Sequence, residues 1–264
     1  MDTCATAVAR PSLEPPAAGL TAANLAALPH GFLGRQGGVS RDVYQSLNLA
    51  RWIDDDPIAV DENWRRWQVT YPGLRPVCLQ QVHGNEVRTI RDDHDGSRYP
   101  ADGMVTAAPS VALCIFTADC VPILLADEER GVVGALHSGW RGTLANIAAV
   151  GVQAMVALGA RPAAIAAALG PAIGLCCYEV DAELADRFIA ALPASQAHVR
   201  PANRGKAYLD LRPIIYDQLI MAGLEPAHVM TVGPCTRCAN DRYFSRRAAR
   251  GAVTGLQMSF IGRE

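Results

Sequence analysis

Residues Ala118 to Thr143 read ADCVPILLADEERGVVGALHSGWRGT. Two apolar runs, VPILLA and VVGALH, flank DEERG, which has turn chemistry, so an antiparallel hairpin is the shortest connection between them. Runs that are apolar at consecutive positions, rather than at alternate ones, belong to strands buried on both faces. The segment beginning at Thr143, TLANIAAVGVQAMVALG, reads as a helix packed on such a sheet, with Thr143 as its cap. A turn centred near Glu129 sets Cys120 opposite His137, or one residue out of register, at the open end of the hairpin.

Outward from the hairpin, VALCIF, IAAALGPAIG and HVMTVG read as further strands, and PVCLQQVHGNEVRTI as extended structure from Val77 to Ile90, broken at Gly84-Asn85. Asp56 and Pro57 make an N-cap and a first helical position, followed by Ile58, Val60, Trp64 and Trp67 at helical spacing. Those tryptophans are read as core. Helices are also expected around Ala182 to Ala191 and Pro213 to Ala222. The paired glycines of HGFLGRQGGVS suggest a turn with unusual backbone angles. Residues 1–26, rich in Ala and Pro, are expected to form a flexible arm, and residues 27–264 a single α/β domain of mixed β-sheets flanked by helices.

The composition is that of a globular protein: 50% hydrophobic and 19% charged residues, with a net charge of -2. Mild acidity argues against nucleic acid as a partner, because phosphate contacts need concentrated Lys and Arg. No apolar run reaches the length of a membrane span, and the start lacks the pattern of an export signal. A cytoplasmic protein acting on a small molecule is expected, with its eight cysteines reduced. Arg237, Arg242, Arg246, Arg247 and Arg250 form the one basic cluster, either a solvated face or a receptor for an anionic group.

A thiolate and an imidazole brought together at a strand end can share a metal ion or a proton. His83, beside glycine at the end of an apolar element, is the best third partner. Two imidazoles and one thiolate suit zinc with an open fourth position, and Cu(II) competes for the same donors. After His137 the chain runs through Ser138-Gly139-Trp140-Arg141-Gly142 into the expected helix, a junction that would welcome an anion, with Arg141 adding a grip. Asp102, Asp119 and Glu179 are candidate proton carriers or structural caps. Cys235 and Cys238 form a CxxC that cannot by itself close a structural zinc site, so they are read as buried thiols.

Taken in order, HGFLGRQGGVS, SLNLA, LQQVHGNEV, ADGMVT, FTADCVPILLAD, GVVGALHSGWRGT and GPAIGLCCYEV resemble the YfiH family, variously named polyphenol oxidoreductase laccase, purine nucleoside phosphorylase and peptidoglycan editing factor. The resemblance runs from about Gly31 to the C-terminus. It implies a layered α/β fold similar to that of cytotoxic necrotizing factor, His83, Cys120 and His137 as the metal-binding and catalytic set, and Arg35, Asn48 and Arg141 lining the same cavity. It also implies phosphorolysis of adenosine, inosine and methylthioadenosine, and deamination of adenosine, with zinc as cofactor. Copper-dependent phenol oxidation, amide cleavage in a cell-wall precursor by a Cys120/His137 nucleophile, and a non-catalytic metal-binding module are the alternatives. The chain departs from the family at Gly34-Arg35, where Thr-Arg is usual, at Arg246, which replaces a tyrosine, and at Gly255-Leu256-Gln257, where Gly-Arg-Gln is usual.

Overall fold

The computed structural model describes residues 19–263. In chain order the principal elements are β1 (His30–Phe32), α1 (Pro57–Thr70), β2 (Arg75–Cys78), β3 (Val87–Thr89), β4 (Gly103–Thr106), β5 (Val111–Thr117), β6 (Val121–Asp127) and β7 (Val132–Ser138). There follow α2 (Trp140–Leu144), α3 (Ile147–Ala157), β8 (Ala166–Leu169), β9 (Glu179–Asp181), α4 (Ala182–Ala191), β10 (Val199–Pro201), β11 (Lys206–Leu209), α5 (Leu211–Met221), β12 (Val229–Thr231) and β13 (Gln257–Gly262). Strands order as β12-β8-β6-β7-β4-β3 in a six-stranded sheet, β1-β13-β5-β2 in a four-stranded sheet and β10-β11-β9 in a small third one.

The consecutive apolar residues of the central strands divide by parity between packed layers. In β5, Val111, Leu113 and Ile115 face a core shared with Leu124 and Ala126 of β6 and Val133 and Ala135 of β7. Ala112, Cys114 and Phe116 point the other way, onto Trp64 and Trp67 of α1. Ile123 and Leu125 of β6 turn outward to meet Val152 of α3 and Ile215 of α5. Two mixed sheets therefore pack face to face with helices outside each, the layered α/β arrangement expected. Trp64 and Trp67 are core, and Asp56 caps α1 by accepting from the Ile58 N–H, but the Ile58 side chain itself is exposed because it lies on the opposite face of the helix.

Three expectations change. The hairpin pairs Pro122 with His137 and Val121 with Ser138, closing through Glu128 to Gly131, so Cys120 is diagonal to His137 instead of opposite and stands just outside β6. The helix expected from Thr143 is broken: Asn146, at φ 57, ends a short α2 and caps α3 through its side chain, while Thr143 lies buried within α2, bonded to Ser138 and the Gly139 carbonyl. Of the N-terminal arm, residues 1–18 lie outside the described residues. From Leu20 onward the chain is docked, since Leu20 pairs with Phe32, Ala22 and Leu25 are buried, and Asn24 donates to the Ala167 and His228 carbonyls.

Candidate active site

His83, Cys120 and His137 reach one point from three segments. His137 is the second-last residue of β7, Cys120 lies in the β5–β6 turn, and His83, at φ 60, sits in the loop between β2 and β3. One ligand atom from each lies within 4.8 Å of the other two, and the imidazole centroids are 4.8 Å apart. The turn that aims Cys120 is made by Asp119, whose φ of 100 is strained for a residue with a side chain. That conformation is held by Thr236 Oγ1 donating to Asp119 Oδ1 at 2.7 Å, Arg247 N donating to Oδ2 at 2.7 Å, and Ile173 N donating to the Asp119 carbonyl at 2.9 Å. Asp119 is thus a structural anchor.

Asp102 organises the two histidines. It is fully buried, and a carboxylate in that position must be partnered. His137 Nδ1–H donates to its Oδ1 at 2.8 Å, and the backbone N–H groups of His83 and Gly84 donate to it at 2.9 and 2.6 Å. The contact fixes the proton on Nδ1 and leaves His137 Nε2 to the cavity, the usual outer support of a metal-ligating imidazole. Burial raises the Asp102 pKa, but His137 and the two N–H groups outweigh it and hold the carboxyl below its ordinary value. The sequence signal for Asp102 is its place at the start of the apolar run DGMVT, where an unpaired carboxylate would be untenable.

The same balance acts on the thiol. Burial raises the Cys120 pKa, the His137 and His83 imidazoles lower it, and the net result is about 6. For His137, burial lowers the pKa, whereas the Cys120 thiolate and Asp102 raise it to about 9. Without metal the pair is therefore thiolate and imidazolium at neutral pH. Gly139 closes the back of the set, for a Cβ there would stand 3.1 Å from both Cys120 Sγ and His83 Nδ1.

A cavity of about 640 Å³ opens on the three residues. Its walls include Trp52, Phe116 and Leu256 as apolar surface, with Gln80, Arg98 and Arg246 as polar groups. Trp52 meets Phe116 edge to face at 4.7 Å, and Arg98 stacks 3.5 Å from the Trp52 ring centre while donating to the Leu79 carbonyl. None of Arg35, Asn48 and Arg141 is among the cavity walls. Arg35 donates to the Gln45 and Asn240 carbonyls, Asn48 is buried and bonded to Asp55 and the Leu256 N–H, and Arg141 lies over the Trp140 ring. The basic cluster divides as well. Arg246 enters the wall, Arg247 holds the Cys177 and Glu179 carbonyls, and Arg237, Arg242 and Arg250 are exposed. Glu179 is exposed on β9, away from the cavity.

The family described as multi-copper polyphenol oxidoreductase laccase matches residues 29–264. The chain belongs to this family. Among solved structures, YlmD from Geobacillus stearothermophilus superposes with a TM-score of 0.86 at 35% identity, covering 92% of this chain and 94% of that one. YfiH from Bacillus licheniformis superposes with a TM-score of 0.85 at 32% identity, covering 91% and 94%. Curated family relatives carry another name, purine nucleoside phosphorylase: one from Deinococcus radiodurans is 40% identical over 245 residues, 92% of each chain. A second, from Mycobacterium tuberculosis, is 38% identical over 232 residues, 87% of this chain and 90% of that one. No helix among the described residues is long and apolar enough to cross a membrane.

Proposed function

We propose that this family member is a zinc-dependent phosphorylase of purine nucleosides, with the ion held by His83, Cys120 and His137. The observation that carries the reading is the open set of two imidazoles and a thiolate, one imidazole braced by a buried carboxylate, at the end of a cavity with aromatic walls and a cationic rim. The donors fit zinc with a position left for water or substrate. When bound, zinc supplies a Lewis acid that polarises a substrate oxygen or lowers the pKa of a water.

In phosphorolysis the bond from ribose C1′ to the purine nitrogen breaks, a phosphate oxygen bonds to C1′, and the departing purine takes a proton. Trp52, Phe116 and Leu256 offer the flat apolar surface that a purine needs. Arg246 supplies positive charge for phosphate, in place of the Arg141 and helix start considered from sequence, and Asp102 keeps the His137 proton at Nδ1. Adenosine deamination, in which water adds at the purine carbon and ammonia leaves, draws on the same zinc set. A second reading, a thiol hydrolase acting on a cell-wall amide, is favoured by the thiolate and imidazolium pair of the metal-free chain. The laccase name fits the donors less well. Of the six histidines, His30 is held by Ala22 and Leu28, His94 by Gly96, His198 by Asp217 and His228 by Ala163, all apart from the set.

The test is chromatography of products after zinc-loaded protein is incubated with adenosine, with and without phosphate, beside Cys120→Ala. Adenine and ribose 1-phosphate formed only with phosphate are expected, and inosine would mark deamination. Intact adenosine in every arm overturns the nucleoside reading. Amide cleavage that rises on chelation would establish the thiol hydrolase.

A further inference from the structure

A second group of ligand atoms lies beyond the cavity. Cys176, Cys177, Cys235 and Cys238, two adjacent cysteines and a CxxC far apart in sequence, bring all four Sγ atoms within 4.8 Å of one another. Cys176 and Cys177 Sγ stand 3.6 and 3.4 Å from Cys238 Sγ. The topology explains the meeting. β8 and β12 are parallel neighbours, each is followed by a Gly-Pro turn, at Gly170-Pro171 and Gly233-Pro234, and Ala172 pairs with Cys235 as the two loops leave the sheet together. The cysteines missing from a lone CxxC are thus supplied by the neighbouring loop.

We propose that these four cysteines bind one tetrahedral metal ion of the zinc class, a structural centre separate from the His83, Cys120 and His137 set. Four sulfurs around a single ion, each about 2.3 Å from it, stand about 3.8 Å apart, and the thiols are already gathered close to that spacing. A cluster of two irons would spread its ligands over a wider span. The loops also provide the donors that a bound thiolate accepts. Gly174 N–H points at Cys235 Sγ at 3.4 Å. Four thiolates on a divalent ion leave two negative charges. The Arg237 guanidinium lies beside Cys177, and Arg212, which donates to the Gly233 carbonyl, lies against Gly174.

The centre has a mechanical role. Thr236, inside the CxxC, and Ile173, in the other loop, are two of the three residues that clamp Asp119 in its left-handed conformation, and Cys120 follows directly. An ion locking the two loops together fixes the direction in which the Cys120 thiol is presented.

Native mass spectrometry of the zinc-loaded, reduced chain decides the matter. The Cys120→Ala/His137→Ala variant is expected to keep one zinc, and adding Cys235→Ser/Cys238→Ser to abolish it. Should the quadruple variant not fold, cobalt substitution of the double variant gives the answer alone: the absorption of a tetrahedral all-sulfur Co(II) site supports the centre. A double variant that holds no ion, or whose four thiols alkylate freely in the presence of zinc, overturns it. Neither readout depends on nucleoside turnover, so its failure leaves the proposed activity standing or falling separately.

Discussion

Asp102→Asn isolates the brace behind the metal set. In the wild-type chain Oδ1 accepts from His137 Nδ1 and His83 N, while Oδ2 accepts from Gly84 N at 2.6 Å and Val82 N at 3.3 Å. An amide nitrogen in the Oδ2 position confronts two N–H donors with a third. Each hydrogen bond to a charged acceptor contributes about 1.5–3 kcal/mol, so two lost bonds amount to about 3–6 kcal/mol. Relaxation of the largely exposed Val82–His83 stretch argues for the lower end, near 3 kcal/mol. For a domain of this size that corresponds to a fall in Tm of about 6–12 °C. Flipping the amide to spare the loop sets an N–H against His137 Nδ1, which drives the proton to Nε2 and blocks ligation, so zinc affinity should fall about 10- to 100-fold. Thermal unfolding of chelated protein and competition against a chromophoric zinc chelator measure the two effects. An Asp102→Asn chain with the wild-type Tm and wild-type zinc affinity would refute the role given to Asp102.

Other perturbations reach the remaining parts of the site. Gly139→Ala places a methyl 3.1 Å from Cys120 Sγ and His83 Nδ1 and should weaken zinc binding by about tenfold while the circular dichroism spectrum is unchanged; equal affinity would show that the ligands do not need this close backbone. Arg246→Ala should raise KM for phosphate about tenfold, the loss of one charge-assisted contact, with kcat little altered; an unchanged KM would remove Arg246 from the anion site. In the chelated protein, alkylation of Cys120 should follow a midpoint near pH 6, fast above it and slowing as the thiolate is protonated below it. A midpoint at the ordinary thiol value would show that the His137 pairing is absent.

The buried hairpin and the layers around it were legible because apolar runs such as VPILLA and VVGALH can be satisfied only by cover on both faces. Its register was misjudged slightly, since the four loop residues from Glu128 to Gly131 centre the turn just beyond Glu129. The site still assembled, because Asp119 bends the chain and returns Cys120 toward His137 on the diagonal. The helix break at Asn146 was hidden in an Ala-rich run whose local preference is helical throughout. Asp102 entered the sequence reading as one of three carboxylates, and only the pairing of β4 with β7 sets it behind His137. The four cysteines were visible singly, but nothing local to GLCC or CTRC tells that β8 and β12 lie side by side.

The cavity draws its two ends from different parts of the chain. Asp102, His83, Cys120 and His137 are anchored to the rim of the six-stranded sheet, whereas Trp52, Ile53, Arg246 and Leu256 come from the segment before α1 and the long stretch leading to β13. The end that carries the His83, Cys120 and His137 set and the end walled by Trp52, Ile53, Arg246 and Leu256 can therefore vary independently. Exchanging the outer segments between relatives should change which molecule the cavity accepts while leaving His83, Cys120, His137 and the Asp102 brace in place.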